Sequence, residues 1–146
     1  MRDATSDLLV KRAISPVSVA DNTALVGQII DGRGFGSLVY AMAIGAAGDA
    51  DATFGVLIEE GNEPDLSDAA PVADIDLNSQ DMGVTAEAAA SFTAASDDQV
   101  RKIGYAGSKR YTRLTITPAS NASAALISAV ALLGRPDLAP VTQAAS

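Results

Sequence analysis

Apolar side chains that return at every second residue, in short runs cut off by turn residues, constrain this chain more than any other feature. In SLVYAMAIG the larger Leu38, Tyr40, Met42 and Ile44 alternate with Val39, Ala41, Ala43 and Gly45. A period of two belongs to a strand, whereas a helix would bring apolar residues back at three and four. TFGVLIEE places Phe54, Val56 and Ile58 on one face, and RYTRLTIT sets Thr112, Leu114 and Ile116 against Tyr111, Arg113, Thr115 and Thr117. In VADIDL, Asp74 and Asp76 fall on one side of an expected strand. Similar runs occur at DLLVKRAI, TALVGQII, QVRKIGY and ALISAVALL, and DNT, DGRG, GAAGDAD, EGNEPD, LNSQDMG, AGS, TPASNAS and GRPD separate them. Gly, Pro, Asn and Asp are the residues that reverse a chain.

This pattern predicts an all-β fold, a jelly roll or β-sandwich of roughly eight to ten short antiparallel strands. The Ala-rich TAEAAASFTAA competes as a helix on propensity alone. The length of 146 residues suits one domain, 1–146, with about 138–146 read as a flexible end after the last strand. Half the chain is apolar but only 4% is aromatic, so the expected core is built of small aliphatic side chains.

The residue types present exclude much chemistry. There is no Cys and no His. Disulfides, thiolate or imidazole metal sites, and Ser-His or Cys-His nucleophiles are therefore not available to this chain. A formal charge of −8 disfavours nucleic acid, whose phosphates are bound by Lys and Arg. The start, MRDATSDLLV, lacks the basic and then apolar order of a signal peptide, and AALISAVALLG is too short to span a bilayer. The expectation is a protein made in the cytoplasm, with no membrane partner.

Charge is segregated along the chain. Between Arg33 and Arg101 there is no Lys or Arg, while thirteen of the 18 acids fall there; half of the ten cations then occur from Arg101 to Arg113. Several motifs deserve weighing against plainer readings. DADATFGVLIEE puts Asp49, Asp51, Thr53 and Glu60 at positions 1, 3, 5 and 12 of a calcium loop, but Phe54 stands where such a loop requires Gly. An acidic turn leading into a buried strand is the simpler account, and a looser site at Asp49 and Asp51 is the residual cation reading. DGRGFGS offers Gly32, Gly34 and Gly36 without the Lys-Ser/Thr of a phosphate loop or the spacing of a dinucleotide loop. Asp74 with Asp76, or Glu59 with Glu60, would serve a glycosidase, yet no Trp exists to form a sugar platform. A cupin centre would need histidines. The expectation is no catalytic residue, no cofactor and no metal.

That leaves the cationic segment QVRKIGYAGSKRYTRLTIT. Read as a contact surface, Arg101, Lys102, Lys109, Arg110, Tyr111 and Arg113 would grip an anion or an acidic partner. Read structurally, it is a hairpin closed by AGS, with Leu114 and Ile116 inward and Tyr111 and Arg113 outward. Its cations then complement acids of the same chain or of a neighbouring subunit, and this is the favoured reading.

KIGYAGSKRYTRLTITP followed by SAVALLGRPDLAPV resembles the C-terminal half of small virion proteins of tailed bacteriophages, and GQIIDGRGFGSLVYAMAIG and VLIEEGNEPDLSDA are similar to them too. Those proteins include capsid cement, or decoration, proteins with a jelly-roll fold. The resemblance implies a homo-oligomer, a dimer first of all, on the exterior of a phage head, with the major capsid protein as its partner. A receptor- or carbohydrate-binding module of a tail fibre, spike or head–tail junction is the alternative it leaves open.

Overall fold

The computed structural model describes residues 3–79 and 83–145. In chain order the elements are β1 (Leu8–Val19), β2 (Leu25–Val26), β3 (Ile30–Asp31), β4 (Phe35–Ala47), β5 (Thr53–Gly61), β6 (Ala70–Pro71), β7 (Leu77–Asn78), α1 (Ala86–Ala90), β8 (Phe92–Thr93), β9 (Val100–Tyr105), β10 (Tyr111–Ala119) and β11 (Ala125–Pro136). They form two antiparallel sheets: a five-stranded sheet in the order β1-β11-β4-β9-β7, and a second in the order β2-β10-β5-β6, with β3 also on β10 and β8 also on β5. If β2 with β3, and β6 with β8, each count as one interrupted strand, the principal strands run 1-8-3-6 in one sheet and 2-7-4-5 in the other. That is the winding of a jelly roll, in which most successive strands change sheet.

The alternation in SLVYAMAIG is realised as expected. Leu38, Tyr40, Met42 and Ile44 are buried, and they meet Phe54, Val56 and Ile58 of β5 and Leu114 and Ile116 of β10 in one core between the sheets. One polar link crosses that core, the Tyr40 hydroxyl lying 2.7 Å from the Thr112 hydroxyl, with both residues essentially inaccessible. Burial pushes the Tyr40 phenol well above its ordinary pKa, with the Thr112 contact acting in the opposite sense. A buried hydroxyl left without a partner is costly, whereas removal of both partners is nearly neutral. Thr112→Val is therefore expected to lose about 1–2 kcal/mol in urea denaturation, and the Thr112→Val/Tyr40→Phe double variant to recover most of that loss. A double variant no more stable than the single one would mean that the pair is not coupled.

TALVGQII does not run as one strand. It breaks at Gly27, whose N–H donates to Leu114 O at 2.8 Å while Gln28 N–H donates to Ala13 O at 2.8 Å. The kink bridges the edge of β10 to β1 in the opposite sheet. Ile30 beyond it returns to the core.

Two further sequence expectations need correction, and one open alternative is decided. The segment Asp74–Asp76 is a 3-10 turn rather than a strand, with Ile75 89% exposed, so the two carboxylates do not share a strand face. TAEAAASFTAA is helical only over Ala86–Ala90, after which Phe92–Thr93 pairs with β5. Above all, β9 and β10 are not a hairpin: β9 pairs with β4 and β7, and β10 with β5, β2 and β3. Ile103 and Leu114 then approach the core from opposite sheets.

The short helix has a structural task. β5 pairs with β10 along its whole length, but on its other side β6 and β8 reach only its two ends. In the gap Glu87 Oε1 accepts from Ile58 N–H at 2.8 Å, Ser91 Oγ accepts from Val56 N–H at 3.0 Å, and Val72 N–H donates to Ile58 O at 3.0 Å. Two side chains and one main-chain N–H thus replace a missing neighbour strand and close an edge that would otherwise pair with another chain. The other outer edge, β1, is accompanied by the C-terminal stretch: Gln143 makes a two-point contact with Val10 N–H and O, and Val141 N–H donates to Ser6 O.

Candidate functional site

The six residues singled out on the cationic segment do not form one patch. Arg101 points inward from β9, where its guanidinium donates to Ala89 O, Ser96 Oγ and Gln99 Oε1, pinning the helix and the following turn to the sheet. Lys102, one residue on, faces out of the five-stranded sheet. Arg113 lies on the outer face of the other sheet, directly opposite Glu59 in register, with Nε and Nη2 at 3.1 and 2.8 Å from Glu59 Oε2. Arg110 binds Asp31 two-pronged, Nε to Oδ1 at 2.9 Å and Nη2 to Oδ2 at 2.7 Å, and its guanidinium carbon stands 4.8 Å from the Tyr111 ring centre. Tyr111 shares the outward strand face of Arg113, as expected, but is covered there and only 8% accessible. It stands in register with Gly61 and Asp31, and Gly61 puts no side chain in its way.

The link from β9 to β10 is wound around Tyr105. Its hydroxyl donates to Glu60 Oε2 and accepts from Lys109 N–H at 2.9 Å. Gly107 lies against the ring so closely that a Cβ there would sit 2.5 Å from the hydroxyl. AGS is therefore a crossover between sheets that needs a glycine for contact with a side chain. Burial, and then the hydrogen bond to the Glu60 carboxylate, raise the Tyr105 pKa. Beside this link lies a cleft of about 470 Å³ between the β3–β4 turn and the end of β11, with Phe35, Tyr105, Lys109, Arg110 and Arg135 among its lining residues. Two of the loop glycines, Gly32 and Gly36, belong to its wall.

The calcium-loop spacing dissolves in the fold. Asp49 Oδ1 accepts from Asp51 N–H and its Oδ2 from Ala122 N–H, tying the β4–β5 turn to the β10–β11 turn, while Glu60 is at the far end of β5. Among the described residues no three carboxylates are grouped to hold a metal ion, and no helix is long and apolar enough to cross a membrane.

Among the described residues Arg110 and Arg113 each pair with an acid of the same chain, which permits two predictions. Arg113→Glu sets like charges directly across a strand pair and is expected to lower stability by about 1–2 kcal/mol, with the exchange Arg113→Glu/Glu59→Arg recovering part of it. An unchanged denaturation midpoint for Arg113→Glu would overturn this. The Arg110–Asp31 pair is more exposed, its side chains 42% and 38% accessible, so its contribution stays below about 1 kcal/mol. Its hydrogen bonds from Arg110 hold the Asp31 carboxyl below the usual carboxylate range. A depressed folded-state pKa means stability that is present above the unfolded value of about 3.9 and lost as pH falls through the folded one. The difference between wild type and Arg110→Gln should accordingly be present at neutral pH and vanish in acid.

What sequence reasoning missed is the outer face of the five-stranded sheet. Across β1, β11, β4 and β9 the register sets Val10, Leu132, Val39 and Gly104 in one row, Arg12, Val130, Ala41 and Lys102 in the next, and Ser128, Ala43 and Val100 beyond. Val10, Val100, Leu126 and Val130 are among the exposed large apolar residues. The signal lay in ALISAVALL, where both alternating faces are apolar; an antiparallel sheet with one wet face is normally polar on that side. The five strands of this sheet contain no Asp or Glu, although the chain has 18, and they hold five of its ten cations: Lys11, Arg12, Arg101, Lys102 and Arg135.

Fold and surface together define a jelly-roll β-sandwich with one sheet whose strands carry no acid and whose outward positions are largely apolar. Comparison with protein-family models and with curated proteins gives no match, so the role of that face is argued from its own chemistry.

Proposed function

We propose that this chain is a non-enzymatic structural protein of a tailed-phage virion, a cement protein that binds the head exterior and ties neighbouring major capsid subunits together. The observation that carries the reading is the employment of the polar groups. Glu59, Glu60, Glu87, Asp31 and Asp49 each hold part of the sandwich together, while the strands of the five-stranded sheet carry no acid and turn largely apolar positions outward. A scaffold that must present a shape to a shell needs such rigidity and no reacting group. The jelly roll is frequent in capsid proteins, although a fold by itself hosts many functions. The resemblance in KIGYAGSKRYTRLTITP supports the same role, the exterior of the virion as its place, and a homodimer as its form. The purified protein added to expanded, undecorated capsids is expected to bind and to raise the temperature at which the shells break. No binding and no gain in heat resistance would refute the proposal.

The cleft beside Tyr105 favours a second reading, a tail-fibre, spike or head–tail binding module. Phe35 and Tyr105 there offer apolar surface, and Lys109 and Arg135 offer charge to an anionic sugar. Specific hits on a glycan array, abolished by Arg135→Ala, would replace the first reading with this one.

A further inference from the structure

The outer face of the five-stranded sheet carries aliphatic side chains in its centre and a cation at each flank. Val130 and Ala41 lie between Arg12 and Lys102 in one row, and three strand spacings separate those cations by about 14 Å of backbone. Leu132 and Val39 lie above that row, and Ala43 and Val100 below. Arg12 donates to Ser15 Oγ at 2.9 Å, and among the described residues neither Arg12 nor Lys102 forms an ion pair. The face is thus apolar and cationic on a molecule whose net charge is −8.

We infer that this face is the docking surface of the molecule, and that it takes a protein surface of aliphatic side chains flanked by carboxylates rather than a second copy of this chain. The inference rests on the cement-protein reading and names the chemistry of that contact. Three arguments select the occupant. A contiguous apolar patch on a soluble domain marks an interaction surface. The segregation of charge orients an acidic molecule so that only this side approaches an anionic surface favourably, which raises the rate and the selectivity of encounter. A twofold contact between two such faces would bring four cations together and no carboxylate, since the sheet has none to offer. A lipid surface fits less well, because the outward positions of these strands supply no Trp or Tyr for the interface.

The test uses the full chain and expanded, undecorated capsid shells in a co-sedimentation titration. Val130→Glu is expected to weaken binding roughly tenfold or more, as for a residue central to an interface, and Lys102→Glu to weaken it less and with a loss of salt dependence. Thr117→Glu, an exposed position on the outer face of the other sheet, serves as the control and should bind like wild type. All three positions project from strand surfaces, so unchanged thermal midpoints establish that the variants are folded. If wild type itself fails to bind shells, the cement reading falls and the inference with it. If wild type binds and Val130→Glu binds equally well, or if Thr117→Glu is the variant that fails, the docking face is wrong while the cement reading stands. Native mass measurement supplies the remaining outcome: a dimer that Val130→Glu converts to monomer would make this face a contact between copies and overturn the inference. Val130-dependent sedimentation with phosphatidylglycerol vesicles would overturn it in favour of a lipid surface.

Discussion

Phe54→Ala is expected to lower the free energy of unfolding by about 3–5 kcal/mol, a large share of the roughly 5–15 kcal/mol that keeps a domain folded. Phe54 is 1% exposed, and its ring stacks on that of Phe92 with centres 4.9 Å apart and planes 13° from parallel. The two residues are also register partners, Phe54 on β5 and Phe92 on β8. Truncation therefore removes transfer free energy, leaves a cavity, and takes away a stacking contact of about 0.5–1.5 kcal/mol. It also weakens a two-residue strand that has little else to hold it on the edge of β5. Urea denaturation followed by far-UV circular dichroism measures the effect. A loss under about 1 kcal/mol would show that this corner collapses around the gap and contributes little.

Gly27→Ala is the second large effect, of about 2–3 kcal/mol. An added Cβ would lie 2.5 Å from Leu114 O and 3.1 Å from Ala13 O. Both are main-chain oxygens, one in each sheet, and neither can turn aside as a flexible side chain would. Relief requires β2 to withdraw, which stretches the hydrogen bond from Gly27 N–H to Leu114 O and the neighbouring one from Gln28 to Ala13. Gly55 supplies the contrast, since its nearest neighbour is Thr117 O at 3.8 Å and a methyl group fits. Gly55→Ala should stay within about 0.5 kcal/mol of wild type under the same denaturation. Equal behaviour of the two variants would mean that the kink at Gly27 is not a close contact between sheets.

Much of the fold was legible because side-chain alternation is a local property. SLVYAMAIG, TFGVLIEE and RYTRLTIT each state which residues face inward, and Tyr40, Phe54, Ile58, Leu114 and Ile116 are all buried as read. In two other stretches the local pattern gives way for one cause. VADIDL has a strand-like pattern, yet the chain turns there, burying Val72 and Leu77 while leaving Ile75 in solvent. TAEAAASFTAA has helical propensity throughout, yet Ser91 and Phe92 are drawn into contact with β5, which ends the helix at Ala90. In both places a tertiary contact outweighs a preference worth only tenths of a kcal/mol per residue.

The candidate site was legible in kind but not in place. The cations from Arg101 to Arg113 were read as complements to acids, and Asp31 and Glu59 do receive Arg110 and Arg113. What could not be read is that Arg101 and Lys102 point to opposite sides of one sheet while Arg113 stands on the other sheet. Neighbours in sequence became distant because jelly-roll winding sends β9 and β10 to different layers. Residue types and their period of two were enough to establish an all-β chain, its inward-facing residues, and the lack of any histidine or cysteine chemistry, since each depends on single residues or near neighbours. Strand partnership, the wrapping of the AGS link around Tyr105, and the gathering of Val10, Leu132, Val39 and Val130 on one sheet face were settled by the tertiary structure alone. Those depend on which of several similar apolar strands pair, and that choice is made by packing both sheets over one core, a sum over the whole chain that no local stretch contains.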